Sequence, residues 1–402
     1  MKSQDAACPS GHVFHFAKVF ASRHGGSFYA QMTVQTLLDE GYSVTLISED
    51  LGDISDLSAN PKLNVFQASS FFQRGFLNAF RKTVDIFSIC KMILTTPASK
   101  VMVQGDLPRV TYVLLQLFVP LFFIRQDGIL TCPANSRFLP HSRRVCRKPL
   151  GFSCLAVNRI EGCLGGLPPA KQLGRIIYRL RDYWLLKAIR RFVANSEYIG
   201  RVHGKKASIL YPPCCGGGGE LADEQRRLQR VVFCARLEAV KGADEAIRIL
   251  ARLPEEYILE IIGDGQCMGS LRQLASELGV HGRVTFHGWL GREDRDRILA
   301  SAGVLLLPSL WDEAFGMTGV EAFNQGTPVV AYAVGGIVEW CRPPAGILVG
   351  CGDVGAAAAA VLAFTKNESG WDEASQQAVS IGREFGPDRF KESLKRLMGE
   401  TN

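Results

Sequence analysis

Glu313 and Glu321 stand eight residues apart within PSLWDEAFGMTGVEAFNQGTPVVAYAVGGIVEW, residues 308–340. The first falls on a loop after the apolar run VLLLPS, the second inside the helix predicted to follow. Between them, Phe315, Gly316, Met317 and Thr318 would present free backbone N–H groups at the start of that helix. Donors and helix dipole together favour a phosphate there. Carboxylates accept hydrogen bonds from the vicinal hydroxyls of ribose or hexose, while backbone amides hold phosphates, so a sugar nucleotide is the ligand this arrangement suits. The spacing alone also fits a solvated helix face, and the surrounding residues decide between the two readings.

The elements that must position these groups follow from hydropathy patterning. The chain has 402 residues, 47% hydrophobic and 21% charged, which excludes a minimal binding module, wholesale disorder and collagen-like repeats. Residues 12–48 read as strand, loop, helix, strand: HVFHF, KVFASRHGG, an amphipathic run from Ser27 to Glu40, then YSVTLIS. Gly25 and Gly26 can bring backbone close to a ligand, and Ser27 can cap the helix. After YPPCCGGGGE, residues 211–220, which reads as a linker, the pattern resumes: VVFCARL, ADEAIRILARL, YILEIIGDG, MGSLRQLASELG, RVTFHG, REDRDRILASA and VLLLPS, then TPVVAYAVGG and GILVG. Apolar β-rich runs alternating with helical ones imply doubly wound parallel sheets, and ligands there sit at the carboxyl ends of strands. The predicted fold class is α/β, with two Rossmann-like domains facing a cleft: residues 1–212 on the acceptor side, 213–385 on the nucleotide side, and a C-terminal helix, 386–402, returning to the first domain. The apolar run Val110–Ile124 contains Gln116 and Pro120, is too short to cross a membrane, and reads as one buried helix.

With FG after the first glutamate, EAF at the second, GTPVV, and GG followed by Glu339, residues 308–340 resemble the donor-site signature of family 4 retaining glycosyltransferases of the GT-B fold. CARLEAVKG, residues 234–242, resembles the same family's strand-end motif, and the resemblance places Arg236 and Lys241 at a donor diphosphate. IIGDG, with Gly263, and VTFHGWL fit as well; HGG at 24–26 and ANSEY at 194–198 are looser matches. The resemblance implies that Glu313 contacts the donor sugar and Glu321 the ribose, with attack on the same face as the leaving phosphate. Physically, breaking the anomeric bond builds negative charge on that phosphate, and preorganised cations lower the barrier. RQDGILTCP, residues 125–133, lies where similar proteins often carry a His-Asp pair; here Gln126 replaces the histidine, and Asp127 is a candidate acceptor-side residue or a plain loop aspartate.

A divalent metal is another way to hold a diphosphate. Asp294 and Asp296 are two apart on a predicted helix and point to divergent sides, so no catalytic metal and no cofactor are expected. Cys132, Cys146, Cys154 and Cys163 lack tight C-x2–4-C knuckles, which favours free thiols over a metal centre. The net charge of +7 favours anionic partners. Arg137, Arg143, Arg144, Arg147 and Lys148 make one loop basic, and RIIYRLRDYWLLKAIRR, residues 175–191, is cationic with apolar residues at helical spacing. Contact with anionic lipid or a lipid-linked acceptor is one reading; a core stripe of Ile177, Leu180 and Trp184 under solvated arginines is the other. No nucleic-acid motif accompanies the charge.

The expectation is therefore a cytoplasmic enzyme, peripheral at the inner face of a membrane. It transfers a hexose-type sugar from a UDP- or GDP-sugar to a glycan or lipid-linked acceptor, with retention, in cell-envelope polysaccharide synthesis. A catalytically silent sugar-nucleotide-binding or scaffold protein of the same fold is the alternative. A dehydrogenase would need G-x-G-x-x-G after the first strand, where only GG stands.

Overall fold

The computed structural model describes residues 11–20, 25–51, 54–67, 76–104, 109–128, 131–214 and 227–399. Apolar runs bounded by glycine, proline and polar turns form two parallel sheets. The N-terminal sheet takes β1 (His12–Val19), β2 (Ser43–Asp50), β3 (Leu63–Gln67), β4 (Ser99–Val103) and β5 (Leu121–Arg125). A two-stranded hairpin, β6 (Phe138–Leu139) with β7 (Arg144–Val145), interrupts it, and β8 (Arg191–Ala194) and β9 (Ser208–Ile209) complete it in the order β3-β2-β1-β4-β5-β8-β9. The C-terminal sheet holds β10 (Arg227–Cys234), β11 (Ile258–Ile262), β12 (Val284–Gly288), β13 (Ala302–Leu307), β14 (Val329–Tyr332) and β15 (Gly346–Val349), ordered β12-β11-β10-β13-β14-β15.

Both orders reverse direction once, between β1 and β4 and between β10 and β13. Chains leaving adjacent strands in opposite senses open a crevice at the strands' carboxyl ends, and that is where such sheets bind ligands. The last helix, Pro387–Gly399, packs Phe390, Leu394, Leu397 and Met398 against Val13, Tyr29 and Leu37 of the first domain, so the chain crosses back to where it began. The two domains also meet through carboxylates. Glu339 accepts the backbone N–H groups of Glu197 (2.9 Å) and Tyr198 (2.7 Å), at the start of the helix Glu197–Val202.

Four local expectations change. The helix after β1 begins at Gly25, so Ser27 is buried inside its first turn rather than capping it, and Lys18 and Val19 belong to the strand. Val110–Ile124 is not one buried helix: a helix ends at Leu115, and β5 starts directly after Pro120, whose ring disfavours helix in the residue before it. On the helix Pro169–Lys187 the buried residues are Ile176, Asp182 and Leu186, while Ile177 and Trp184 face solvent, which overturns the core-stripe reading. Two cations of the basic loop turn to the second domain, Arg143 to Asp244 at 2.6 Å and Arg147 to Asp312 at 3.2 Å, while Arg137 bonds Thr131 and the Cys146 carbonyl. Of the linker, residues 215–220 lie outside the described residues.

Candidate functional site

A cavity of about 540 Å³ lies between the two switch points. The second domain lines it with Arg236 and Lys241, which follow β10, and with Glu313, Phe315, Gly316, Met317 and Thr318, which follow β13. Gly26 faces them from the start of the helix after β1, and Gln126 and Asn195 from the loops after β5 and β8. Residues predicted from separate motifs thus meet in one place.

The centre is an ion pair. Lys241 Nζ donates to Glu313 Oε1 at 2.7 Å, Ser309 Oγ donates to the same oxygen at 2.7 Å, and the ammonium lies 5.0 Å from the centre of the Trp311 ring. Burial by itself would raise the Glu313 carboxyl. The charge of Lys241 and the hydrogen bonds from Lys241 and Ser309 outweigh it, so the group titrates below its ordinary value and stays a carboxylate. Lys241 keeps two further N–H donors for an anion in the cavity. Arg236 is more exposed and leans on Glu238, free to swing toward a ligand.

The helix Met317–Asn324 starts from Gly316, whose φ of +84° reverses the chain so that the amides of the first turn point into the cavity. Only glycine fits that turn, because a Cβ would also come within 3.0 Å of the Ile337 side chain. Gly263 acts one step removed. Its φ is +136° and a Cβ there would sit 2.0 Å from the Ala235 carbonyl oxygen, so it lets the end of β11 pass against the strand end that carries Arg236.

Two predicted residues stand elsewhere. Glu321 is buried outside the cavity wall with Arg295 Nη1 3.2 Å from its Oε2; burial pushes its carboxyl up, and the guanidinium only partly offsets this. Asp127 folds back on Arg125 at 2.6 Å, and its carbonyl oxygen meets His203 Nε2 at 2.9 Å. It serves the loop, and its neighbour Gln126 takes the cavity position because alternate residues of an extended segment face opposite ways. Gly25 opens the helix beside Gly26.

Sequence reasoning assigns no role to Asn195 or Gln104. Gln104, directly after β4, donates to the Gly26 carbonyl at 2.7 Å and fixes that helix start. Asn195 lies in ANSEY, so the looser match is the signal that could have found it. Gln126 Nε2 and Asn195 Oδ1 are buried without a hydrogen-bond partner among the described residues. Asp294 and Asp296 pair with Arg297 (3.0 Å) and Arg295 (2.8 Å) of their own helix, and no group of three or more His, Cys, Asp or Glu among the described residues is arranged to hold a metal ion.

Two Rossmann-like domains facing a cavity at their switch points define the GT-B fold. Residues 223–385 match the family described as glycosyl transferases group 1. It is 34% identical over 181 residues to the D-inositol 3-phosphate glycosyltransferase of Mycobacterium marinum, a match spanning 42% of this chain and 39% of that relative's length. Its fold matches an Anabaena protein, HepE, solved with UDP-glucose (TM-score 0.65, 16% identity, 96% of this chain and 99% of the other). It also matches sucrose-phosphate synthase from Thermosynechococcus elongatus (TM-score 0.67, 16% identity, 96% and 98%).

Proposed function

We propose that the chain is a retaining glycosyltransferase that moves a hexose-type sugar from a UDP- or GDP-sugar to a glycan or lipid-linked acceptor in cell-envelope polysaccharide synthesis. The observation that carries this reading is the cavity in which Lys241, Glu313 and the amides of residues 315–318 face Gln126 and Asn195 across the cleft. The amides and Lys241 hold the diphosphate, with Arg236 closing on it. Glu313, kept ionised, accepts from donor-sugar hydroxyls. Glu321, oriented by Arg295, is assigned to the ribose because it shares the helix that carries the phosphate cradle.

The reaction breaks the bond between the anomeric carbon and the diphosphate oxygen and forms a bond from that carbon to an acceptor hydroxyl oxygen on the same face. The acceptor's proton passes to the leaving phosphate. Charge grows on that phosphate at the transition state, where Lys241 and the helix amides already stand, so their stabilisation is larger there than in the ground state. In this reading protein cations do the work a divalent metal does elsewhere. Asp127 pairs with Arg125, which supports the plain loop aspartate over the acceptor-side role.

The test is calorimetry of UDP, GDP and ADP with and without EDTA, followed by turnover of the matching NDP-sugar with sugar acceptors. Saturable, EDTA-insensitive binding of one nucleotide, lost in Arg236→Ala, together with product of unchanged anomeric configuration, is the expected result. Binding without any transfer or donor hydrolysis favours the silent binding protein, and absence of nucleotide binding removes the site assignment.

A further inference from the structure

The first domain carries an apolar face that its own core does not cover. On the helix Pro169–Lys187, Leu173, Ile177 and Trp184 project on one side, and Trp184 is 68% exposed. Beside it lies the end of the helix Arg109–Leu115, where Leu114 and Leu117 are exposed and Phe118 is 70% exposed. The two segments are tied together, since the Gln116 side chain donates to the Ala188 carbonyl (2.9 Å) and accepts from the Arg190 N–H (2.9 Å). Single exposed apolar residues are ordinary on a protein surface, but six on two linked segments form the kind of patch that marks an interaction site.

Charge identifies the occupant. Residues 169–191 hold seven lysines and arginines against one acid, Asp182. That acid is fully buried and paired with Arg179 (3.8 Å) and Arg181 (3.1 Å), so it presents no negative charge outward. Arg181 and Lys187, four residues after Ile177 and three after Trp184, are exposed beside the apolar stripe, and Arg190 is exposed just past the helix end. An aromatic and aliphatic stripe rimmed by cations, on a helix lying along the surface, matches the boundary of an anionic bilayer: side chains enter the acyl edge while cations meet lipid phosphates. A protein partner would need a matching acidic rim around an apolar hollow, whereas a bilayer offers both everywhere. No helix of the described residues is long and apolar enough to cross a membrane, so the contact is lateral.

We infer that the face formed by Leu114, Leu117, Phe118, Leu173, Ile177 and Trp184 docks on an anionic lipid surface. This stands apart from the transferase reading, because it rests on none of the cleft residues. The test is co-sedimentation of the full chain with vesicles of phosphatidylcholine alone and of phosphatidylcholine mixed with phosphatidylglycerol. The chain is expected to partition onto the mixed vesicles, to leave them as salt is raised, and to bind the neutral ones far less. Phe118→Ser with Trp184→Ser removes two exposed anchors and should lower the partition coefficient about tenfold or more, with circular dichroism and melting temperature unchanged. Arg181→Glu with Lys187→Glu should abolish the preference for anionic vesicles. Equal partition of parent and variants, or no binding to anionic vesicles, overturns the inference. So does a dimer in sedimentation velocity that Phe118→Ser with Trp184→Ser dissolves, since the occupant is then a second copy. Nucleotide binding measured on the same preparations reports on the cleft independently.

Discussion

The two domains share a plan and differ in how their strand ends are held. In the second, backbone passes against backbone: a Cβ at Gly242 would lie 2.0 Å from the Pro308 carbonyl oxygen, and at Gly263 the same distance from that of Ala235. In the first domain the helix start at Gly26 is held by side chains, with Gln104 bonded to its carbonyl and the Gln126 amide oxygen 3.1 Å from where a Cβ would stand. The cores differ likewise. Among the described residues, the buried apolar residues of the second domain form one continuous cluster, which even takes in Phe138 from the hairpin of the first, and those of the first domain fall into two. Backbone-to-backbone contact fixes Lys241 and the start of the helix Met317–Asn324, while side-chain contacts hold the opposite wall. Under the proposed function, a rigid donor side facing an adjustable acceptor side is the division to expect.

The comparison breaks most sharply at Lys241. If the second domain carries the chemistry, Lys241→Met should cut turnover by roughly 10²–10³-fold, the usual loss when one preorganised transition-state charge is removed. Nucleotide affinity should fall less than turnover. Steady-state kinetics beside calorimetry checks both, and a variant that keeps its turnover would move the chemistry out of this domain.

Rigidity of the second domain is tested next. A Cβ at Gly319 would lie 2.0 Å from the Trp340 ring, which is fully buried and held by its N–H donating to the Phe315 carbonyl at 2.6 Å. Gly319→Ala should therefore cost about 3 kcal/mol in denaturant unfolding, at the upper end for overpacking. Gly26→Ala meets only the end of the flexible Gln126 side chain and should cost much less. Similar losses for both would erase the proposed difference between the domains.

This difference also explains what the sequence disclosed. Glycines and carboxylates that secure backbone contacts stand at fixed offsets from strand ends, so residues 315–318 and Glu313 suggest a site from residue types and spacing, and the family resemblance decides for them and adds Lys241. Positions held by side chains carry no such spacing. Gln104 looks like any polar residue after a strand, and only the fold brings it against Gly26; Asn195 is marked only by the looser ANSEY match. A carboxylate suggests chemistry more readily than an amide and so points to Asp127 over Gln126, yet the strand's alternation and the nearby Arg125 decide which side chain faces the cavity. The outward stripe on Pro169–Lys187 cannot be told from a core stripe by periodicity, since either face of that helix has apolar residues. The burial of Asp182 beneath two arginines settles which face is inside.

The domains should also part company in acid. His15 and His203, both in the first domain, are buried, and burial pushes each down to about 4; for His203 the bond to the Asp127 carbonyl opposes this without cancelling it. A folded-state value below the unfolded 6.5 means that the neutral form is the one the fold accepts. Stability from each is complete above about 6.5 and is lost as pH falls toward about 4, with on the order of 1–2 kcal/mol gone per histidine at pH 5. Glu313 adds a loss in the second domain only below the ordinary carboxylate range, because its folded value is lowered. Acid unfolding followed by hydrogen exchange should thus open the first domain at a higher pH than the second, and His203→Gln should flatten the slope.

The smallest expected effect is the most discriminating about the adjustable wall. Gln126 Nε2 is buried with no partner among the described residues, a condition that destabilises the unliganded protein. If a ligand hydroxyl is its partner, Gln126→Leu should raise stability by about 1 kcal/mol, through removal of a buried unsatisfied donor, while the donor or acceptor KM rises roughly tenfold, the value of one hydrogen bond to a neutral group. Thermal melting and initial rates read the two quantities separately. A structural role for Gln126 would make stability and KM worsen together, and a spectator would leave both alone. Only opposed changes fit a side chain that the first domain keeps unsatisfied in order to bind.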